Sequence, residues 1–434
     1  IDWIEEQLFS HQLWGSHLVN LPTSLLGGLS LDWQVMTANT EYERPDAKRY
    51  TWFRMGAGNY EARFGDEQYS RWEKMEGENT GGRLDISLPI TAWNFSPITL
   101  KTGLYRYGYD TDGYRYSYKY GGTSRSDVYD EYTQQNDPKL IFVDEIIVGS
   151  IYEEGLVSST GGLNPDWEVG IDKGDHYKVE QEYDASYFST EIEFWENLRA
   201  TLGVRRESFS IAADQYYLQP EPLYGLLDES FSLPSVGLTY LFSDALQLRT
   251  AYSETVSWPE TFEILPRIYR NIETMESYKG NPELKPAQIK NYDIRLEWYP
   301  AENESVTLAV FNKDMTNAIE NRFDRKGDDY SYYTFANVDS GKVTGWELDA
   351  RQDFTLYTTH ELFAQLNYTD IESEVTLPPD YNEYDLNRPL QGQPDYIVNL
   401  QLGYDHIPTD QQITLVFNRK GRELSVVTPA TGNN

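Results

Sequence analysis

Cysteine is absent from this chain of 434 residues. That removes disulfide scaffolds, thiol nucleophiles and cysteine-held zinc together, and says little about compartment. Long apolar runs are missing as well: no stretch approaches the roughly 20 residues that a membrane helix needs. If the chain crosses a membrane, it must do so as a closed barrel, because every backbone polar group has to be paired inside lipid. Basic charge is scarce, 36 Lys and Arg against 70 Asp and Glu, for a formal net charge of −34. Phosphate binding needs a basic face, so this balance argues against nucleic acid as a partner. The acids read either as solvated loops or as a rim facing a surface crosslinked by divalent cations. Five histidines, His11, His17, His176, His360 and His406, are scattered without paired metal spacing. No G-x-S-x-G elbow occurs, and paired carboxylates discriminate nothing in so acidic a chain. The chain therefore reads as a non-enzyme without cofactor or metal centre. Its opening, IDWIEEQLF, has neither the basic start nor the apolar core of an export signal, which leaves a protein that is not exported or an internal stretch of a longer one.

What is present is tyrosine (35) and tryptophan (11) set on a period of two. From Asn291 to Trp298, Asn291, Asp293, Arg295 and Glu297 alternate with Tyr292, Ile294, Leu296 and Trp298. That is a strand with one wet face. Pro300 to Glu304 make a polar turn, and Val306, Leu308 and Val310 begin a second strand, completing a hairpin. Trp298 and Tyr299 end the apolar face as an amphipathic pair suited to a membrane surface. The same unit predicts strands at 8–19 with 24–37, at 80–91, 98–120, 176–194 and 198–212, and at 234–242 with 246–256. Further pairs follow at 289–299 with 305–315, 343–355 with 360–370, and 395–405 with 411–421. Two more strands in 38–79 bring the expectation to about sixteen, most of ten to twelve residues, in one large β domain.

Connections discriminate more than strands. Short turns at 243–245, 300–304, 356–359 and 406–410 alternate with long segments at 213–233, 257–288, 316–342 and 371–394, and some fifty residues follow 120. A soluble sandwich has no reason to place every long connection at one end; an outer-membrane barrel does.

Several stretches resemble the barrel of TonB-dependent outer-membrane transporters: AYSETVSWPETFEILP (251–266), GNPELKP (280–286), NYDIRLEWYP (291–300), NRPLQGQPDYIVN (387–399) and NRKGR (418–422). Gly280, Asn281, Pro282, Pro286, Asn291 and Tyr292 carry most of the motif, and the similarity runs in order from about Gln12 to Arg422. Trp258 stands where the family often has arginine before the proline. The resemblance implies an all-β, transmembrane, antiparallel up-and-down barrel with 16 or so of about 22 strands present. Residues 1–434 would be a partial barrel domain without the family's N-terminal plug, and the tail TPATGNN would precede the closing strands. It also implies active uptake of a scarce, bulky nutrient such as a carbohydrate, siderophore or cobalamin. The partners implied are outer-membrane lipid and lipopolysaccharide, the protein's own plug, the TonB-ExbB-ExbD complex and an extracellular solute, in the outer membrane of a Gram-negative bacterium. A passive porin and a soluble carbohydrate-binding or carbohydrate-active β protein remain as alternatives.

Candidate contacts follow from residue type. Gly280, Asn281, Pro282 and Pro286 suit a tight turn before a strand, with solute contact as the lesser reading. Tyr105, Tyr107 and Tyr109 suit an outer-leaflet girdle. Tyr114, Arg115, Tyr116 and Tyr118, further out, are solute-binding candidates, as are the loop residues Tyr330 and Tyr332, since flat apolar faces with polar hydroxyls stack on rings. Asp110, Asp112 and Gly113 lack the closing acid of a calcium loop. Asp127, Asp130 and Glu131, with Asp328 and Asp329, are loop acids that a cation could share.

Overall fold

The computed structural model describes residues 3–21, 28–49, 52–54, 60–62, 69–91, 97–119, 121–122, 165–166, 176–216, 224–266, 268–270, 276–326, 330–356, 359–377 and 387–424. Fourteen strands form an antiparallel meander, each paired with its neighbours in sequence. They are β1 Glu5–Val19, β2 Leu29–Arg49, β3 Tyr69–Ile90, β4 Ile98–Lys119, β5 His176–Trp195, β6 Leu198–Tyr216 and β7 Tyr224–Ser243. The second half is β8 Leu246–Ser257, β9 Ala287–Trp298, β10 Ser305–Thr316, β11 Ser340–Leu356, β12 His360–Thr376, β13 Tyr396–His406 and β14 Gln411–Lys420. A two-residue strand, Asn387–Arg388, adds to the end of β12. The meander is the wall of an up-and-down barrel, and among the described residues β1 and β14 each have one sheet neighbour.

The predicted hairpins occur in the predicted order. The two separate strands expected in 38–79 do not: β2 runs on to Arg49 and β3 begins at Tyr69, with the short pair Trp52–Arg54 and Tyr60–Ala62 between them. Likewise, much of the long connection expected at 213–233 is strand, as β6 reaches Tyr216 and β7 starts at Tyr224. Strands β2 to β4 are 21 to 22 residues long, about twice what a membrane crossing requires. Toward the long-loop end their sequences are rich in polar residues at both odd and even positions. The apolar alternation fades there although the backbone ladder continues.

Direct cross-strand partners share a face, so the register sorts the wall. Outward rows join Leu248, Leu296, Leu308 and Leu348. Next to them run Thr250, Ile294, Val310 and Trp346. Leu296, Leu308 and Val310 are 40%, 47% and 47% exposed. Such a belt is costly in water and favourable against hydrocarbon. Aromatics edge it: Tyr252 lies 5.1 Å from Tyr292, and Trp346 5.0 Å from Tyr368, toward the long-loop end. Trp298 faces outward at the short-turn end, as its place in the sequence predicted. Inward rows are polar, as in Arg249 opposite Arg295 and Asp349 opposite Asn367. The fully buried apolar residues collect in two clusters at the long-loop end, around Ile211 and Ile264 and around Val338 and Val375.

Candidate functional site

The inner wall is a chain of hydrogen-bonded polar side chains. Tyr105, Tyr107 and Tyr109 pair with Ala185, Tyr183 and Gln181 on the inward rows. The girdle expected of them is overturned: Leu104 and its row take the lipid side, and a strand that turns Leu104 outward must turn Tyr105 inward. The Tyr107 hydroxyl donates to Asn79 Oδ1 at 2.5 Å and the Tyr187 hydroxyl to Asp85 Oδ1 at 2.8 Å. Arg205 Nε donates to Glu207 Oε1 at 2.5 Å, and its Nη2 donates to the Tyr183 hydroxyl at 3.1 Å. Lower down, Glu297 is 3% exposed. It holds Arg295 Nε at 3.1 Å and Arg249 Nε at 3.4 Å, and accepts from Tyr299 at 2.9 Å and from Gln247. A buried carboxylate persists only when so paired.

At the mouth, the segment after β8 folds inward. Trp258 Nε1 reaches Glu207 Oε2 at 3.4 Å, and its ring packs on Phe209 and Phe231 at 5.3 and 5.5 Å. A single helical turn, α1 (Thr261–Ile264), follows, closed by a capping box between Glu260 and Glu263. It drives Ile264 and Leu265 into the cluster with Val179, Ile211 and Ala213 on the inner faces of β5 and β6. Gly280 packs directly on the backbone of Leu265, and a Cβ there would overlap the Leu265 carbonyl oxygen. Asn281 is a three-way staple: its N–H donates to Glu263 O at 2.6 Å, its Nδ2 to Phe335 O at 2.9 Å, and its Oδ1 accepts from Glu283 N at 3.0 Å. Pro286 is buried and Pro282 exposed. Asn291 donates to Ser253 O and Thr255 Oγ1 at 3.3 and 3.2 Å, fixing β9 to β8. We expect Gly280→Ala to destabilise this mouth segment by about 1–3 kcal/mol, because backbone cannot yield as a side-chain tip does. Faster amide exchange over Ser277–Lys279, with the wall strands unchanged, is the readout.

Above it, four short strands form a separate sheet, Ile268–Arg270, Ser277–Lys279, Tyr330–Asn337 and Ile319–Lys326 in that order. An aromatic row crosses it. Tyr269 stacks on Tyr278 at 5.4 Å, Tyr278 lies 5.4 Å from Tyr333, and Tyr333 meets Phe323 edge-on at 5.3 Å. On the other face Lys279 Nζ sits 5.8 Å above the Tyr332 ring. Burial raises the Tyr269 and Tyr333 hydroxyls above their ordinary range. It pushes Tyr278 up to about 12, helped by the bond to Glu276. A raised tyrosine favours the folded loops below about pH 10, and that contribution is lost as pH climbs through about 12. Tyrosinate absorbance should therefore show a late component that shrinks in Tyr278→Phe; a single step at the ordinary tyrosine pKa would count against the row.

The remaining sequence candidates separate. Tyr114 shares a strand face with Leu104, so it lies on the outward side, stacked 5.6 Å from His176. Arg115, its neighbour, is on the opposite face. The side chains of Tyr116, Tyr118 and Tyr330 lie outside the described residues, as do Asp127, Asp130, Glu131, Asp328 and Asp329 and most of the connection after β4. Among the described residues no group of three or more His, Asp or Glu is placed to hold a metal ion. Sequence reasoning missed the Glu297 node and the buried pair of Arg388 Nη1 with Glu320 Oε2 at 2.6 Å. Its only signal was Arg388 beside a proline in a motif.

The family model described as TonB dependent receptor-like, beta-barrel matches residues 15–425. No curated protein matches the sequence. Among solved structures, the chain is similar to the ferric-catecholate import receptor Fiu from K12 E. coli in its closed form, 11% identical with a TM-score of 0.57, over 97% of this chain and 55% of that one. It is similar to the copper transporter OprC, 13% identical with a TM-score of 0.58, over 96% and 53%. The third is the pyoverdine outer membrane receptor FpvA from Pseudomonas aeruginosa PAO1 bound to pyoverdine, 14% identical with a TM-score of 0.51, over 96% and 54%. The chain thus spans about half the length of these structures, and at such identities what is shared is the fold.

Proposed function

This chain belongs to the TonB-dependent receptor-like β-barrel family, and on that premise we propose that it is the barrel portion of an active transporter. The family consists of transporters, not enzymes, of the outer membrane of Gram-negative bacteria. In the whole protein, residues 1–434 surround an N-terminal plug, and the TonB-ExbB-ExbD complex supplies energy from the inner membrane. The solute is bound from outside by the loops at the mouth.

The observation that carries this reading is the built mouth. Trp258, Ile264 and Leu265 pack onto the inner wall, Gly280 and Asn281 staple the returning chain to them, and Phe262 meets Phe335 of the aromatic loop sheet. Water flow alone does not require such ordering, whereas capture of a bulky solute above a gated lumen does. The cargoes in the titles of the similar structures differ among themselves, ferric catecholate, copper and pyoverdine, so the fold does not choose between carbohydrate, siderophore or cobalamin. Uptake by cells carrying the whole protein, with and without functional TonB, tests the reading. Import abolished by loss of TonB supports it; import that persists identifies a passive pore.

A further inference from the structure

The five histidines show no paired spacing along the chain, yet the wall brings two of them together. His360 opens β12 and His406 closes β13, and they are direct cross-strand partners. Their ring centroids are 4.6 Å apart, with 26° between the planes. Leu348 pairs with Tyr368 on the outward face, and an even number of residues separates Tyr368 from His360, so the histidine pair faces outward too. The row runs from Leu356 on β11 through the two rings to Gln411 on β14. It lies at the short-turn end, beside the turn at 407–410.

Each ring is held by one nitrogen. His360 Nδ1 lies 2.7 Å from the Tyr404 hydroxyl, and His406 Nδ1 lies 2.5 Å from Thr409 Oγ1. A hydroxyl accepts as readily as it donates, so both rings can carry their proton on Nδ1 and keep the Nε2 lone pair. Among the described residues neither Nε2 has a hydrogen-bond partner. A hydrogen bond on the far nitrogen is the usual support of a metal-binding imidazole. Distance permits the same use, because an ion bonded to two imidazole nitrogens at about 2.0–2.1 Å holds them within about 4.2 Å of each other. Rings with centroids 4.6 Å apart reach that by tilting, and the terminal torsion of histidine is soft. Chemistry selects the ion. The neighbouring acids Glu361 and Asp405 pair with each other on the inward face, so neither joins the imidazoles, and a nitrogen-only pair disfavours calcium and magnesium.

We propose that His360 and His406 hold one borderline divalent transition-metal ion between their Nε2 atoms, Cu²⁺ in preference to Ni²⁺ or Zn²⁺, with water in the remaining positions. Such an ion ties β12 to β13 at the short-turn rim. Its two ligands meet only in the folded sheet, so binding stabilises the barrel against unfolding. The site stands on the geometry of this one strand pair and is independent of cargo and TonB.

The test is Cu²⁺ titration of the whole protein, free of histidine tags and solubilised in detergent, followed by electron paramagnetic resonance. The wild type should bind one more equivalent than the double variant His360→Gln with His406→Gln, and that equivalent should show two coordinating imidazole nitrogens. Tyr404→Phe removes only the support of His360 and should weaken binding about tenfold. Each single histidine variant should weaken it further. Excess Zn²⁺ should compete for the site, and excess Mg²⁺ should not. His17→Gln should change nothing, since His17 Nε2 already accepts from Trp33 Nε1 at 3.1 Å. With Cu²⁺ present, the wild type should unfold at a higher temperature in a heated-sample gel and the double variant should not. The unheated lanes of that gel show that each variant has formed its barrel. Equal stoichiometry in wild type and double variant, a single coordinating nitrogen, or an equal loss in His17→Gln overturns the site.

Discussion

Glu320→Ala should release the extracellular loops of this barrel while leaving its wall intact. Glu320 is 5% exposed and Arg388 8%. Their contact is 2.6 Å, and the second carboxylate oxygen accepts from Gln391 N at 3.3 Å. Gln391 in turn bridges to the backbone of Asn321, accepting from its N–H at 3.0 Å and donating to its carbonyl at 3.3 Å. The pair thus clamps the loop strand Ile319–Lys326 to the segment that returns into β13. Removing one partner takes the close counter-charge from a dry site, and breaking such a pair is worth about 3–5 kcal/mol. Hydrogen exchange should accelerate by several orders of magnitude in Ile319–Lys326 and around 387–393, with β9 and β10 protected. Arg388→Met should behave alike. Glu320→Gln with Arg388→Met should cost less than the sum of the singles, because no unpaired charge remains. Strict additivity, or unchanged exchange in these segments, would show that the pair is not a clamp.

Leu296→Arg is the second large effect, and it tests which face meets lipid. Leu296 stands outward between Leu248 and Leu308, in the middle of the belt bounded by Tyr292 and Trp298. A cation there should cost about 2–4 kcal/mol if it lies near the bilayer centre. Arg295→Leu, one residue away, should cost about 1 kcal/mol, the scale of one lost hydrogen bond. Glu297 would still keep Arg249, Gln247 and Tyr299. Equilibrium unfolding from lipid vesicles gives both values. Equal losses at the two positions would sink the facing assigned to β9, and with it every outward row derived from it by register.

The two predictions differ in where they came from. The facing of Leu296 and Arg295 is in the sequence, because a strand offers only two sides and the alternation is unbroken from Asn291 to Trp298. The clamp is not, because Glu320 and Arg388 are 68 residues apart and neither belongs to a periodic pattern. Tyr105, Tyr107 and Tyr109 fall between these cases. Their spacing showed that they share a face, but their amphipathic chemistry suits lipid border and wet lumen equally. Only the pairing of Leu104 with Leu84 in the outward row decided for the lumen.

By itself the sequence determined the hairpins, the one-sided distribution of long connections, the family motif and the absence of thiol chemistry. Each of these rests on local alternation, on turn residues or on absence, and such signals survive without knowledge of any distant partner. Tertiary structure alone decided that β2 to β4 continue above the belt, that Gly280 abuts Leu265, and that Glu297 gathers two arginines. Those are properties of register and of contacts between residues far apart in the chain. A period of two records which side a residue faces, and carries no information about what it will face.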